Sequence, residues 1–380
     1  MAVRVLVATW AWPTHFFPLV PLARALRAAG NEVLVASQPA LLPVIREAGL
    51  PAVGAGTDEE LSTPLTKLFG QDPNDRSRRE ESRTVRCFAD IAETMTAPLS
   101  DLVRRWRPSL VLYEETTYAA PLVAAAAGVP AVRHLWGIDV MSFVRWSEPI
   151  SLAGLTERLG AGTSAGSLVT TVDPCPASLQ VAGDFTRTPI RYIPYNGTAP
   201  VPSLLHRPAG RPRVCVTYGR TLSRVERASS VIEMLVTALG GLAVDVVAAV
   251  SPADRARLGT PPANVTVVEN QPLADFLPQC SLVVSHGGPG TVLTAAAYGL
   301  PQLIIPQVAD QRLLAGATSA LGAAERLAPE EVTVDVVRAA VTRLLASEQA
   351  REACRLLREE IHERPAPAAV ARELTALATA

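Results

Sequence analysis

The chain has 380 residues, 48% of them hydrophobic and 19% charged, with a formal net charge of -1. That is too long for one ordinary core and too apolar for a disordered protein, so two folded domains are expected, and the near-neutral balance excludes a general attraction to nucleic acid or anionic membrane. Five cysteines (Cys87, Cys175, Cys215, Cys280, Cys354) stand singly, which argues against a disulfide framework and against a cysteine zinc site. No apolar run reaches the roughly 18 to 20 residues that span a bilayer. The apolar N-terminus is strand-like and is broken by Pro13, His15 and Pro18, so it does not read as a signal peptide. A cytoplasmic setting is expected, and the two N-x-T sequons at Asn196 and Asn264 carry no weight there.

In chain order, Val3 to Thr9 is a β-rich run, and Leu19 to Ala29 reads as a helix stopped by Gly30. "EVLVAS" from Glu32 is a strand, and "ALLPVIREAG" is a helix ending at Gly49. Residues 54 to 82 are polar and rich in breakers, so a long loop or small helices are expected. Val85 to Arg105 has helical composition. "LVLY" from Leu110 and "AVRHL" from Ala131 are strands flanking an alanine-rich helix. Residues 135 to 209 lose the rhythm, and their end reads as a linker over 201–210. The alternation restarts at "VCVTYG" from Val214. Further strands are predicted at Val244 to Ala249, Val265 to Val268, Leu282 to Ser285 and Leu303 to Ile305, and 331 to 380 should be mostly helical. Such spacing implies βαβ units and parallel sheets. The fold class is therefore α/β: two Rossmann-like domains, 1–200 and 211–380, facing across a cleft at the carboxyl ends of their strands.

"SHGGPGT", residues 285 to 291, lies where a strand hands over to a helix. A turn there presents free N–H groups and the positive end of a helix dipole, and glycines let a ligand approach the backbone. Gly287, Gly288 and Gly290 would line it, Thr291 would cap it or donate its hydroxyl, and His286 would add a ring N–H. It lacks the Walker lysine and the dinucleotide fingerprint. By itself it could also be a tight turn without a ligand.

The following residues specify more. "HGGPGTVLTAAAYGLPQLIIPQVADQ", residues 286 to 311, resembles the donor signature of GT-B nucleotide-sugar glycosyltransferases, and most resembles the bacterial antibiotic and macrolide branch. The N-terminal "THFFPLVPLARALRAAGNEV" and the later "VCVTYGR" resemble the openings of that family's two domains. The resemblance implies that His286 and the amides from Gly288 to Thr291 hold a diphosphate, that Asp310 and Gln311 hold the sugar, and that Gly219 and Gln271 lie beside the nucleotide. Asn270 and Gln271 stand where many relatives have an aromatic residue. Ser285 and Asn31 replace histidines common in the family.

Inverting glycosyl transfer needs a base on the acceptor, with a pKa near neutrality. His15 follows the first strand, and in "THFFPL" it resembles the family's catalytic histidine. Asp139 in "RHLWGIDV" resembles the W-G-P-D segment of the antibiotic branch, and would be a second base or a partner that polarises His15. Glu114 and Glu115 occupy the region where relatives with a His–Asp dyad carry the acid. His134 reads as a packing residue. Trp10, Trp12, Phe16 and Phe17 are either core or the wall of a pocket for a flat acceptor. No D-x-D pair is present, so a metal-independent reaction is expected, with the turn amides and His286 meeting the leaving group. "GTSAG" at 162 to 166 imitates an esterase elbow out of context.

The resemblance implies an inverting hexosyltransferase of antibiotic biosynthesis with no cofactor. Its co-substrate would be a nucleoside-diphosphate deoxysugar, thymidine-linked by expectation, and its acceptor a polyketide-type aglycone. No nucleic acid or membrane partner is expected, and a homodimer is left open. A sugar epimerase of the same fold, a silent donor-binding partner protein and an α/β hydrolase are the competing readings.

Overall fold

Two parallel sheets organise the chain. The computed structural model describes residues 2–58, 81–161, 168–183, 186–200, 210–218 and 226–379, with the backbone alone over 226–230. Gly219, the 201–209 part of the expected linker and Ser164 of the esterase-like motif lie outside the described residues.

The first sheet contains β1 (Arg4–Ala8), β2 (Glu32–Ser37), β3 (Ala52–Gly54), β4 (Leu110–Glu114), β5 (Ala131–His134), β6 (Leu168–Asp173) and β7 (Arg187–Pro189). Their order is β3-β2-β1-β4-β5-β6-β7, and every pairing is parallel. The second sheet contains β8 (Arg213–Thr217), β9 (Asp245–Val250), β10 (Val265–Glu269), β11 (Leu282–Ser285), β12 (Gln302–Ile304) and β13 (Ala324–Arg326). Its order is β10-β9-β8-β11-β12-β13, again parallel throughout.

The burial pattern explains the parallel arrangement. All five residues of β4 and all five of β8 are buried. Along β8, Val214 and Val216 join one apolar cluster while Cys215 joins another. Alternate side chains point to opposite faces, so both faces are covered, as parallel sheets require.

Each sheet reverses its strand order once. In the first sheet the reversal lies between β1 and β4; in the second it lies between β8 and β11. Ligands of open α/β sheets bind beyond the carboxyl ends of strands at such a switch point. His15 follows β1 and Glu114 ends β4, whereas the glycine turn follows β11.

The domain boundaries differ from those expected. One compact unit comprises residues 1–174, 182–191 and 365–380; the other comprises 175–181 and 192–364. The last segment leaves the second domain because helix Pro367–Leu377 packs on helix Val20–Ala28 of the first. Asn31 seals this junction. Its Oδ1 accepts from the amide of Val3 at 3.2 Å and its Nδ2 donates to Thr375 Oγ1 at 2.8 Å. Residues 175–181 cross the other way, where Glu360 accepts from the amide of Ser178.

Candidate active site

In the first unit the chain leaves β1 through Trp10 and Trp12 into a four-residue helix, Pro13–Phe16, which carries His15. Pro13 suits the first helical position because its missing N–H would find no partner there. The Nδ1 of His15 lies 2.9 Å from Glu114 Oε1. Glu114 is fully buried, and its oxygens also accept from the amide and hydroxyl of Thr116 and from the hydroxyl of Thr117. Thr117 Oγ1 in turn accepts from the amide of Trp10 at 3.1 Å, tying the β4 turn to the β1 turn. A carboxylate surrounded by donors is an acceptor, so it fixes the His15 tautomer with hydrogen on Nδ1 and the lone pair on Nε2. The imidazole ring stacks on Trp136 at 4.1 Å and meets the edge of Trp10 at 5.1 Å.

Asp139 is placed differently from the base expected of it. It is fully buried and caps the turn Val140–Phe143, with Oδ1 accepting from the amide of Ser142 at 3.1 Å. Arg145 donates to the same oxygen at 2.9 Å, and Arg187 donates to Oδ2 at 3.2 Å. Two guanidinium groups hold the charge that a base would need to offer to a proton, so the structure gives Asp139 the work of an anchor. Glu115 is buried with both carboxylate oxygens unbonded, and burial, with Asp139 and Glu114 nearby, raises it well above the usual carboxylate range. His134 is fully buried and donates from Nδ1 to Leu135 O at 2.7 Å. Burial pushes it down to about 4, so it packs as a neutral ring, as the sequence suggests.

In the second unit, "SHGGPGT" is the turn between β11 and helix Pro289–Ala297. Gly287 has φ +84°, and a Cβ there would lie 2.6 Å from Ile304 Cγ2; a Cβ on Gly288 would lie 2.5 Å from His286 Nε2. Those two glycines serve the protein's own packing. Gly290 has open space where its side chain would be, so a ligand can approach its backbone. The amide of Thr291 is used within the turn, donating to Gly288 O at 2.9 Å, so the free donors of the first turn lie ahead of it.

His286 is buried, and its Nδ1 has no partner within the protein. Burial pushes its pKa down to about 4, so without an anion beside it the ring is a neutral donor rather than a cation. Gln311 is buried and its Oε1 accepts from the amides of Gln307 and Val308, which caps helix Ala309–Ala320; its side-chain nitrogen takes no part in that cap. Asp310 sits in the first turn of that helix, where the dipole favours an acid. Gln271 donates to Asp275 Oδ2 at 2.9 Å and is held by its own loop.

Family comparison supplies what geometry alone cannot. The N-terminal domain model of the erythromycin biosynthesis protein CIII-like family matches residues 24–219, and its C-terminal domain model matches residues 233–377. The chain belongs to this family. Among curated relatives, the 10-deoxymethynolide desosaminyltransferase of Streptomyces venezuelae is 36% identical, over 99% of this chain and 97% of that protein. The L-demethylnoviosyl transferase of Streptomyces niveus is also 36% identical, over 98% of each. Among solved structures, the glycosyltransferase VinC in complex with dTDP matches with a TM-score of 0.87 at 31% identity, over 99% of each chain. Spinosyn rhamnosyltransferase SpnG complexed with spinosyn aglycone matches with 0.84 at 31%, over 98% and 99%. The CIII-like chain is thus a GT-B glycosyltransferase.

Sequence reasoning passed over two parts of this CIII-like site. One is the threonine pair that holds Glu114; "EETT" after a strand could have signalled it, since acid and hydroxyls end up on one turn. The other is Trp136 on the histidine face, for which a tryptophan just past a strand is too common a feature to be a signal.

Proposed function

We propose that this transferase moves a deoxysugar from a thymidine diphosphate donor to a hydroxyl of a polyketide-type aglycone, with inversion at the anomeric carbon and His15 as the base. The observation that carries the reading is the His15–Glu114 pair at the switch point of the first sheet. Relatives that use desosamine and daunosamine, and neighbours bound to dTDP and to an aglycone, support the choice of substrates.

The acceptor oxygen bonds to the anomeric carbon while the bond from that carbon to the diphosphate breaks. The acceptor proton passes to Nε2 of His15. The ring becomes a cation between Glu114 and the Trp136 face, and Glu114 holds it without taking the proton. The departing thymidine diphosphate receives the electron pair, and the free amides before Thr291 together with the His286 N–H meet its charge. Asp310 and Gln311 would hold the sugar.

A base of this kind contributes on the order of 10² to 10⁴ in rate. His15→Ala should therefore lower kcat at least a hundredfold in a transfer assay with a thymidine diphosphate deoxysugar and a macrolactone or anthracyclinone. Unchanged turnover would remove His15 from the role. Metal independence is part of the proposal: activity should persist in EDTA, and loss in EDTA with rescue by magnesium would refute it.

A further inference from the structure

We infer that Trp136 is a positioning residue for the His15 base: its indole face sets the plane of the imidazole, and so the direction of Nε2. The inference rests on the reading of His15 as the base.

One hydrogen bond does not orient a ring. Glu114 fixes where Nδ1 lies, at 2.9 Å, but an imidazole held only there can still swing about that contact. The helical turn Pro13–Phe16 runs on into Phe17–Leu19 and Val20–Ala28, so it holds the backbone of His15 but leaves rotation of the ring about the Cβ–Cγ bond open. The second restraint is the stack on Trp136, with centroids 4.1 Å apart and planes inclined by 29°. Trp10 closes an edge at 5.1 Å and 72°, and is itself stacked on Trp12 at 5.3 Å.

Trp136 is well placed to serve as a fixed reference. It lies two residues beyond β5, which is in register with β4 through His134 and Glu114. The strand that supplies the acid and the strand that leads to the indole are therefore neighbours in one ladder. Beyond Trp136 the turn is pinned by Asp139, through Ser142, Arg145 and Arg187. The buried ion pairs thus acquire a purpose: they hold the loop that holds the indole. Trp136 is only 7% exposed, so most of its surface is given to the protein rather than to an acceptor. A tryptophan face also favours a cation, and His15 carries positive charge once it has taken the acceptor proton.

The test is a double-mutant cycle. Wild type, Trp136→Leu, Trp136→Phe, His15→Ala and the His15→Ala/Trp136→Leu pair are assayed for kcat and acceptor KM at saturating donor. Trp136→Leu should lower kcat about tenfold and leave acceptor KM within about twofold. Trp136→Phe should recover most of the loss, because a phenyl ring keeps a flat face. In the His15→Ala background the leucine change should cost less than about twofold more. A rise in KM at constant kcat would overturn the proposal in favour of acceptor contact. The same loss with and without His15 would overturn it in favour of general packing. Full turnover in His15→Ala would bring down the base assignment first and this proposal with it. Thermal unfolding accompanies each variant, and Trp136→Met, which fills space without a ring, replaces the leucine variant if that one melts early.

Discussion

Glu114 and Asp139 are one residue type of difference and one strand apart, yet the fold gives them opposite surroundings. Each lies at or just past the carboxyl end of one of two adjacent strands, so the sequence offers both as partners for His15. What separates them is the company of Arg145 and Arg187. Those arginines come from residues 135 to 209, where no strand–helix rhythm exists to place them. His15 itself was legible, because a histidine in the turn after a first parallel strand has a defined position. Glu114→Gln should keep an acceptor for Nδ1 but lose the charge facing the imidazolium. We expect kcat to fall roughly ten- to a hundredfold, about 1.4 to 2.7 kcal/mol, with little change in acceptor KM. Asp139→Asn should act on stability, because two partly buried guanidinium groups lose their counter-charge. Urea unfolding should show a loss of about 3 kcal/mol, while turnover per folded molecule stays within roughly tenfold of wild type.

The glycine turn shows how one element serves packing and binding together. The strand and the helix on either side of it were readable from "LVVS" and the alanine run. Which glycine does what was not, because that depends on Ile304 and the His286 ring crossing nearby. Gly287→Ala places a methyl group against Ile304 at a left-handed φ, and should destabilise the protein by about 1–3 kcal/mol in thermal or urea unfolding. Thymidine diphosphate at about 100 times its Kd should stabilise wild type by roughly 2.7 kcal/mol, and His286→Ala should lose most of that shift. An equal shift in the mutant would take the diphosphate away from this turn. Strands β3, β7 and β13 were missed because each has three residues, too few to show a period, and none sits in an apolar run like the Leu303–Ile305 stretch that revealed β12. β6 was missed because its first half is partly exposed and it lies within a stretch crowded with prolines and serines.

On the scale of the whole molecule, buried titratable groups bend the stability curve from both ends. His134 and His286 are each held down to about 4 by burial. Between an ordinary histidine value near 6.5 and 4, the unfolded chain binds protons that these two rings refuse, so stability falls as the pH drops through that window. Glu115 has the opposite sign. Its carboxyl is raised, so the folded protein keeps a proton that the unfolded chain releases above the usual carboxylate range, and stability is lost as pH rises through the raised value. Urea unfolding from pH 4.5 to 8.5 should trace a dome. Glu115→Gln should flatten its alkaline side and steepen its acid side, where the carboxyl opposes the two histidines; unchanged curvature on the alkaline side would remove Glu115 as its source.

The helix Pro367–Leu377 follows the second unit in sequence and belongs by packing to the first. The covalent order and the folding units therefore disagree, and this limits how such an enzyme can be recombined. A chimera made by a single crossover in 201–210 would import a foreign final helix onto the native Val20–Ala28 surface, and would break the Asn31–Thr375 seal unless the incoming tail happened to match. Exchange of the second unit calls for two junctions, with residues 365–380 travelling with the N-terminal partner.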